Sequence, residues 1–145
     1  MRWVVSSCCI KTRNNAKKKV KRSAVVKRLD TIFSKYIRKK NSEHGKASCF
    51  TCGKVDDWQN LQCGHFQSRR HYSTRWDELN CQVQCAGCNV FKYGEQYKFG
   101  VFLNSKFGKA TASRLHVKAQ QQVKFETYEL IEMIEKYTEL FDKLK

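Results

Sequence analysis

Hydrophobic residues recur at helical spacing near both ends of the chain. In the first stretch they lie on one face of a predicted helix that ends in the polar segment 41–45: Leu29, Ile32, Phe33, Tyr36 and Ile37. In the second, at 126–144, they alternate four- and three-residue steps: Leu130, Ile134, Tyr137, Phe141 and Leu144. This second seam has two interpretations, which are packing into the chain's own core and a short coiled coil that joins two copies in a homodimer.

The segment between these helices has short apolar runs separated by turn residues. Strands are predicted near 61–66 and 79–84, a basic loop at 68–75 joins them, and a helix is predicted at 86–94. A further apolar pattern at 99–107 predicts a helix that Gly108 ends, whereas 109–123 has no clear pattern. The expected fold class is a small α+β protein whose β–β–α core is flanked by N- and C-terminal helices.

Length and charge add a domain boundary and a class of partner. The 145 residues suffice for one domain, assigned to 27–145, with the β–β–α core at about 46–94 and a helical part at 95–145. Residues 1–26 are expected to form a basic, flexible tail, and the net charge of +16 favours a phosphate backbone as partner. No apolar run reaches the ~20 residues of a membrane span. We therefore expect a cytoplasmic protein without a membrane partner.

Four of the eight cysteines form two C-x-x-C pairs with 32 residues between them. Cys49 with Cys52 and Cys85 with Cys88 have the spacing of a structural zinc site, in which two tight turns present four thiolates to one Zn²⁺ ion. A redox-active pair is the alternative. The other four cysteines are expected to be free thiols: Cys8, Cys9, Cys63 and Cys81. Either of the last two could replace a zinc ligand.

Three polar residues in this segment suit phosphodiester hydrolysis. His65, at the end of the first predicted strand, fits the base that deprotonates water near neutral pH. Asn80, where the loop meets the second strand, fits a residue that orients His65 or braces the loop. Asn89, directly after the second cysteine pair, fits an oxygen ligand for a catalytic Mg²⁺ or Mn²⁺ ion, with His65 as another ligand.

Basic residues around these three are candidate DNA contacts. The loop between the predicted strands offers Arg69, Arg70, His71 and Arg75, and the helix after the second cysteine pair offers Lys92. The tail contributes Lys17, Lys18 and Lys19 as a non-specific phosphate clamp. A solvated loop and a tail that serves solubility are the alternatives.

Four motifs occur together in this chain. They are Cys49-Phe50-Thr51-Cys52-Gly53, Cys63-Gly64-His65-Phe66, the run Thr74-Arg75-Trp76-Asp77-Glu78-Leu79-Asn80, and Gln84-Cys85-Ala86-Gly87-Cys88-Asn89. In combination they resemble the NinG (Rap) recombination nucleases of lambdoid phages, within the wider HNH or ββα-metal endonucleases. The resemblance is strong over about 46–108 and weaker towards the C-terminus, and it includes 29–38 as a lead-in helix.

The resemblance implies a zinc-stapled ββα-metal core and structure-specific cleavage of branched DNA, such as Holliday junctions and D-loops, during phage recombination in the host cytoplasm. Cys63 and Gly64 stand where many members of the superfamily have an acidic or histidine metal ligand. The candidates for the second ligand of the catalytic cation are therefore Asp77, Glu78, His71 and His65.

Two other functions stay open. One is a non-catalytic, zinc-containing module that binds nucleic acid, and the other is an HNH nicking or homing-type nuclease with sequence specificity. The residues alone, without the resemblance, indicate a zinc-stapled nuclease that binds nucleic acid.

Overall fold

The computed structural model describes residues 20–144. Cys8, Cys9 and the tail lysines Lys17, Lys18 and Lys19 lie outside these residues. Along the described chain the elements are α1 (Arg22–Lys40), β1 (Ser42–Glu43), β2 (Lys46–Ser48), β3 (Val55–Asp57), β4 (Gln62–His65), α2 (Tyr72–Arg75), β5 (Cys81–Gln84), α3 (Gln96–Phe107), α4 (Thr111–Ala119) and α5 (Thr127–Asp142). The protein is thus mixed α+β with small sheets.

The two amphipathic helices pack against each other and form the largest core. Leu130, Ile134 and Tyr137 of α5 are buried against the apolar face of α1. The Tyr137 ring stands edge-on to Phe33 at 4.8 Å between ring centroids. Core packing is therefore the interpretation of the C-terminal seam that the structure supports, and these three residues are not an exposed stripe for a coiled-coil dimer.

Helix α1 begins earlier than the sequence indicated. It starts at Arg22, and Val25 is already buried in the core. Residues 22–26, which we assigned to the flexible tail, therefore belong to the folded domain. The reason is that Val25 continues the apolar face of Leu29 by one further helical turn.

The strands form two antiparallel sheets. One has the order β1-β2-β3, and the other is the pair β4-β5, with Cys63 opposite Val83 and His65 opposite Cys81. The pair matches the two strands predicted from the sequence, each shortened by a residue or two at its ends. The loop between β4 and β5 contains the short helix α2.

The helix predicted at 86–94 is not present as such. A single π-helical turn spans Gly87–Phe91, and Tyr93, Gly94 and Glu95 then adopt positive φ. Gly87 and Asn89 are poor helix formers, and left-handed backbone at three successive residues ends any helix. The third element of the expected β–β–α unit is therefore one turn long, and a regular ββα arrangement is not established.

The C-terminal helices cover the cysteine-rich segment. Phe99 and Leu103 of α3 and Leu115 of α4 form a third core cluster, and Phe50 and Phe66 pack against it. Helix α4 lies within 109–123, the stretch without a clear apolar pattern. In the part of the chain that the structure describes, no helix is long and apolar enough to cross a membrane.

Candidate functional site

The two C-x-x-C pairs meet in one four-cysteine centre. The ligand atoms of Cys49, Cys52, Cys85 and Cys88 all lie within 4.8 Å of one another. Each pair follows directly on a strand, the first after β2 and the second after β5. Backbone N–H groups close both turns, from Gly53 to the Cys49 carbonyl and from Cys88 to the Cys85 carbonyl. The centre therefore joins two separate sheets.

The donor set of this centre fits zinc. Although burial opposes it, hydrogen bonds from the Thr51 side chain and from backbone groups lower the pKa of Cys49 to about 6. Burial instead raises the pKa of Cys88 to about 12. Four thiols around one point, one of them readily ionised, match the tetrahedral thiolate site that Zn²⁺ prefers, and the cluster could hold that ion.

His65 is the last residue of β4, and its ring lies beside the β4–β5 loop. Its Nε2 atom is 2.9 Å from the carbonyl oxygen of Arg75. Burial lowers the pKa of His65, the hydrogen bond to Arg75 opposes this, and the nearby charge of Arg69 lowers the pKa further. The net direction favours a neutral imidazole, which is the form that can accept a proton.

Asn80 is fully buried and binds the loop rather than the His65 ring. Its side-chain oxygen accepts a hydrogen bond from the Gln67 N–H at 2.7 Å, and its amide nitrogen donates to the carbonyl groups of Gln67 and Thr74 at 3.0 Å each. Asn80 thereby fixes both ends of the loop that carries the Arg75 carbonyl. Its influence on His65 is indirect.

His65 and Asn89 line the same cavity, which has a volume of about 590 Å³. It lies along β4, between Arg38 of α1 on one side and the π-helical turn on the other. Asn89 donates a hydrogen bond to the side-chain oxygen of Gln62 at 2.7 Å. The structure therefore brings two of the three predicted site residues to one cavity and places Asn80 outside it.

The cavity fits a hard divalent cation poorly. Its lining contains amide, hydroxyl, imidazole, thiol and guanidinium groups but no carboxylate from the described residues. Asp77 and Glu78 are ion-paired with Lys118 and Lys40, and His71 lines a different cavity. Since Mg²⁺ and Mn²⁺ prefer anionic oxygen ligands, these candidates do not complete a site for either ion.

The residues predicted to contact DNA differ in whether their charged groups are already paired within the protein. Arg69 and Arg70 are exposed, and Arg69 lines the cavity. Lys92 is exposed but lies 3.3 Å from Glu95. The guanidinium of Arg75 is paired with Asp30 of α1 through two hydrogen bonds, at 3.0 and 2.6 Å. Arg75 therefore has a structural role where we expected a phosphate contact.

Two features of the site were not predicted from the sequence. Phe91, Tyr93 and Tyr97 are exposed by 79%, 88% and 85%, and Tyr93 lines the cavity. In addition, Cys63, His65 and Cys81 bring their ligand atoms within 4.8 Å of one another. The signal for this second group was the C-x-H spacing, but we interpreted His65 as a catalytic base and Cys63 and Cys81 as free thiols or as replacements for a ligand of the four-cysteine site.

The fold and the site together define a class of protein. It is a small, basic α+β protein whose two sheets are joined by a zinc-type four-cysteine centre, with a histidine-lined cavity next to it. A family model described as bacteriophage lambda NinG protein matches residues 8–145. The chain belongs to the NinG family, which supports a role in phage recombination. No curated protein and no solved structure gives a significant match.

Proposed function

We propose that this protein is a structure-specific DNA endonuclease of the HNH type that cleaves branched recombination intermediates. The observation that carries the proposal is the convergence of His65, Asn89 and Arg69 on one cavity. A base can activate water, and a guanidinium and an amide around the same open space can bind and stabilise a phosphodiester. Membership in a family of phage recombination proteins supports DNA as the substrate.

In this mechanism the neutral ring of His65 accepts a proton from the attacking water. The Arg75 carbonyl holds the ring through Nε2, so the lone pair of the neutral imidazole is left at Nδ1. The guanidinium of Arg69 binds the scissile phosphate and balances the negative charge that grows on its oxygens. Asn80 keeps the loop in the conformation that presents the Arg75 carbonyl.

A requirement for Mg²⁺ or Mn²⁺ is part of the proposal, although the protein alone offers few ligands for either ion. Asn89 and Gln62 provide amide oxygens at the cavity. The one lone pair of the neutral His65 ring accepts the proton from water in this mechanism, so His65 is not also a ligand of the cation. The anionic oxygens would have to come from the DNA phosphates themselves.

Exposed aromatic residues explain why the proposed enzyme would prefer branched DNA over a linear duplex. Phe91, Tyr93 and Tyr97 are exposed, Tyr93 lines the cavity, and Lys92 and Lys98 are adjacent to them in the sequence. Aromatic side chains stack on unpaired bases and contribute about 1–3 kcal/mol per base, and such bases are accessible at branch points but not inside a duplex. The basic residues Arg69 and Arg70 add phosphate contacts.

The test of the base is a comparison of two histidine variants on a synthetic four-way junction with Mg²⁺ or Mn²⁺. We expect His65→Ala to lower the cleavage rate by roughly 10²–10⁴-fold, because the general base is lost. Junction binding in a gel-shift assay should be retained. His116→Ala, an exposed histidine on α4, is the matched control and should cleave at the wild-type rate. Equal rates for the two variants would remove His65 from the mechanism.

A second candidate function is a non-catalytic nucleic-acid-binding module. The absence of a carboxylate among the described residues of the cavity favours it. Incubation of the junction with protein and Mg²⁺ or Mn²⁺, against a control with EDTA, separates the two functions. Metal-dependent products support the endonuclease, whereas shifted but intact DNA supports the module. A linear duplex of the same sequence, cleaved as well as the junction, would instead indicate a nicking or homing-type nuclease.

A further inference from the structure

We propose that Cys63, His65 and Cys81 form a second metal site, which binds a thiophilic divalent cation such as Zn²⁺ and is separate from the four-cysteine centre. The three ligand atoms lie within 4.8 Å of one another. The four-cysteine cluster meets the same limit.

The strand pairing explains why the three side chains converge. Cys63 and His65 are two residues apart on β4, so they project from the same face of the strand. Cys81 lies directly opposite His65 on β5. Three side chains on one face of a two-stranded sheet are thus held by backbone hydrogen bonds and need no loop rearrangement to meet.

The donors select the kind of ion. Two thiols and one imidazole form a soft Cys₂His set, which suits Zn²⁺ and disfavours Mg²⁺ or Mn²⁺. The Arg75 carbonyl lies 2.9 Å from His65 Nε2 and 3.6 Å from Cys81 Sγ. A carbonyl beside a histidine ligand commonly fixes the orientation of the ring, so this contact prepares the site.

The site is accessible from one side. Cys81 is fully buried, whereas Cys63 and His65 line the cavity beside Arg38. Three protein ligands with an open fourth position are typical of zinc sites that exchange or bind small molecules, whereas structural sites have four protein ligands. The cation can therefore enter and leave through the cavity without unfolding the chain.

Occupancy of this site would regulate cleavage, a consequence that rests on the proposed function. The ring of His65 has two nitrogen atoms, of which one is held by the Arg75 carbonyl. When the other binds a metal ion, no lone pair remains to accept a proton from water. Zn²⁺ in the second site should therefore inhibit the enzyme while it leaves the four-cysteine centre intact.

The primary test counts metal ions and does not depend on activity. The full-length protein, kept reduced, is equilibrated with Zn²⁺ and freed of excess ion, and the zinc per chain is measured by mass spectrometry. We expect two equivalents for the wild type and one for Cys63→Ser and for Cys63→Ala. The double variant Cys8→Ser/Cys9→Ser removes two thiols outside the proposed site and should keep two equivalents.

Substitution with Co²⁺ provides an independent, spectroscopic measurement of the same site. Replacement of zinc by Co²⁺ gives thiolate-to-cobalt absorption, and the difference between wild type and Cys63→Ser should match a cobalt ion with two sulfur ligands. A single equivalent of metal in the wild type, or two in a folded Cys63→Ser variant, would overturn the proposal. A single equivalent in the wild type overturns the proposal however well the variants fold, and the Cys63 variants assign the second equivalent to this site.

The regulatory consequence is tested on junction cleavage with increasing Zn²⁺ at constant Mg²⁺. The wild type should lose activity as the second equivalent binds, and the loss, expressed as a ratio within each protein, should be smaller for Cys63→Ser. If the wild type binds two equivalents but never cleaves DNA, the metal site stands and the proposed nuclease function fails. If it cleaves and is unaffected by the second equivalent, inhibition through His65 is excluded.

Discussion

Gly64 shows how a single residue couples two of the sequence motifs. A Cβ atom at this position would lie 2.0 Å from the side-chain oxygen of Gln84, which is fully buried. The Gln84 amide donates hydrogen bonds to the Thr51 hydroxyl at 3.1 Å and to the Gly94 carbonyl at 2.9 Å. Glycine between Cys63 and His65 therefore leaves room for a side chain that links the first cysteine turn to Gly94, in the segment after the π-helical turn.

We expect Gly64→Ala to destabilise the fold by about 1–3 kcal/mol, because overpacking displaces Gln84 from its partners. Urea denaturation measures the change. The matched control is a double-mutant cycle with Gln84→Ala, which removes the clashing side chain. The double variant should be more stable than the sum of the single effects predicts. Strict additivity would show that Gln84 is not what Gly64 accommodates.

We expect Cys85 to stabilise the fold through metal binding. Cys85→Ser removes one ligand of the four-cysteine centre, and because structural zinc binding supplies folding free energy, the variant should lose zinc and unfold at lower urea concentration. A zinc assay and circular dichroism measure both effects. The double variant Cys8→Ser/Cys9→Ser is the control, since it should keep the full zinc content. A folded Cys85→Ser protein with full zinc content would contradict the four-cysteine assignment.

At the residue scale, clusters of residues with a diagnostic sequence spacing could be predicted. Contacts between residues far apart in the sequence could not. The four zinc-type cysteines have a diagnostic spacing, and their convergence is confirmed. The pairing of Arg75 with Asp30 could not be predicted, because 45 residues separate them and only the docking of α1 brings them together. The placement of Cys81 beside His65 depends on strand register, which the sequence left undetermined.

Among the elements, helix α1 and the β4–β5 loop are joined through Asp30. The carboxylate accepts two hydrogen bonds from Arg75 and a third from the indole nitrogen of Trp76 at 2.9 Å. Since Asn80 holds the same loop from the opposite side, the Arg75 carbonyl that contacts His65 is fixed by two elements. The position of α1 thus affects the geometry at the cavity.

We expect Asp30→Asn to destabilise the protein by about 1.5–3 kcal/mol, because hydrogen bonds to a charged group are lost and Arg75 keeps an uncompensated charge. Urea denaturation measures this, and junction cleavage should fall as well, since the loop loosens beside His65. Asp142→Asn, at the exposed end of α5, is the control and should change stability by less than about 0.5 kcal/mol. Equal stability of the two variants would contradict the role of Asp30.

The amphipathic helices could be predicted from the sequence, whereas the irregular π-helical turn could not. Helices α1 and α5 follow from the 3.6-residue period of their apolar faces, and α5 begins with a capping box formed by Glu126 and Glu129. The helix predicted at 86–94 is present only as the π-helical turn Gly87–Phe91, because apolar spacing does not register the positive φ of Tyr93 and Gly94. Helix α4 was missed because its apolar face has only Leu115 and Ala119 as buried hydrophobic residues.

At the scale of the whole molecule, the positive charge is unevenly distributed along the chain. The net charge of +16 is concentrated towards the N-terminus, where residues 1–19 contain six Lys and Arg residues and no acidic residue. Val25 is part of the core, so a deletion that probes the tail must end before α1 at Arg22. Deletion of residues 1–19 removes this charge without removing any core residue that the structure describes.

We expect this deletion to weaken binding to the junction and to flatten its dependence on salt. Each phosphate contact that is lost lowers the log–log slope of affinity against salt by about 0.9, because fewer counterions are released on binding. Fluorescence anisotropy over a range of salt concentrations measures the slope. Deletion of residues 1–10 removes only Arg2 among the basic residues and is the control. Its slope should stay close to that of the full-length chain.

The two deletions together locate the charge that binds DNA. If the 1–19 deletion keeps the full slope, the tail does not contact phosphates, and the folded domain must supply the contacts through groups such as Arg69 and Arg70, which are exposed. If the slope falls but junction cleavage at low salt is retained, the tail contributes to affinity and the cavity alone carries the chemistry. The proposed function requires that cleavage at low salt is retained in either case, because it assigns the reacting groups to the described domain.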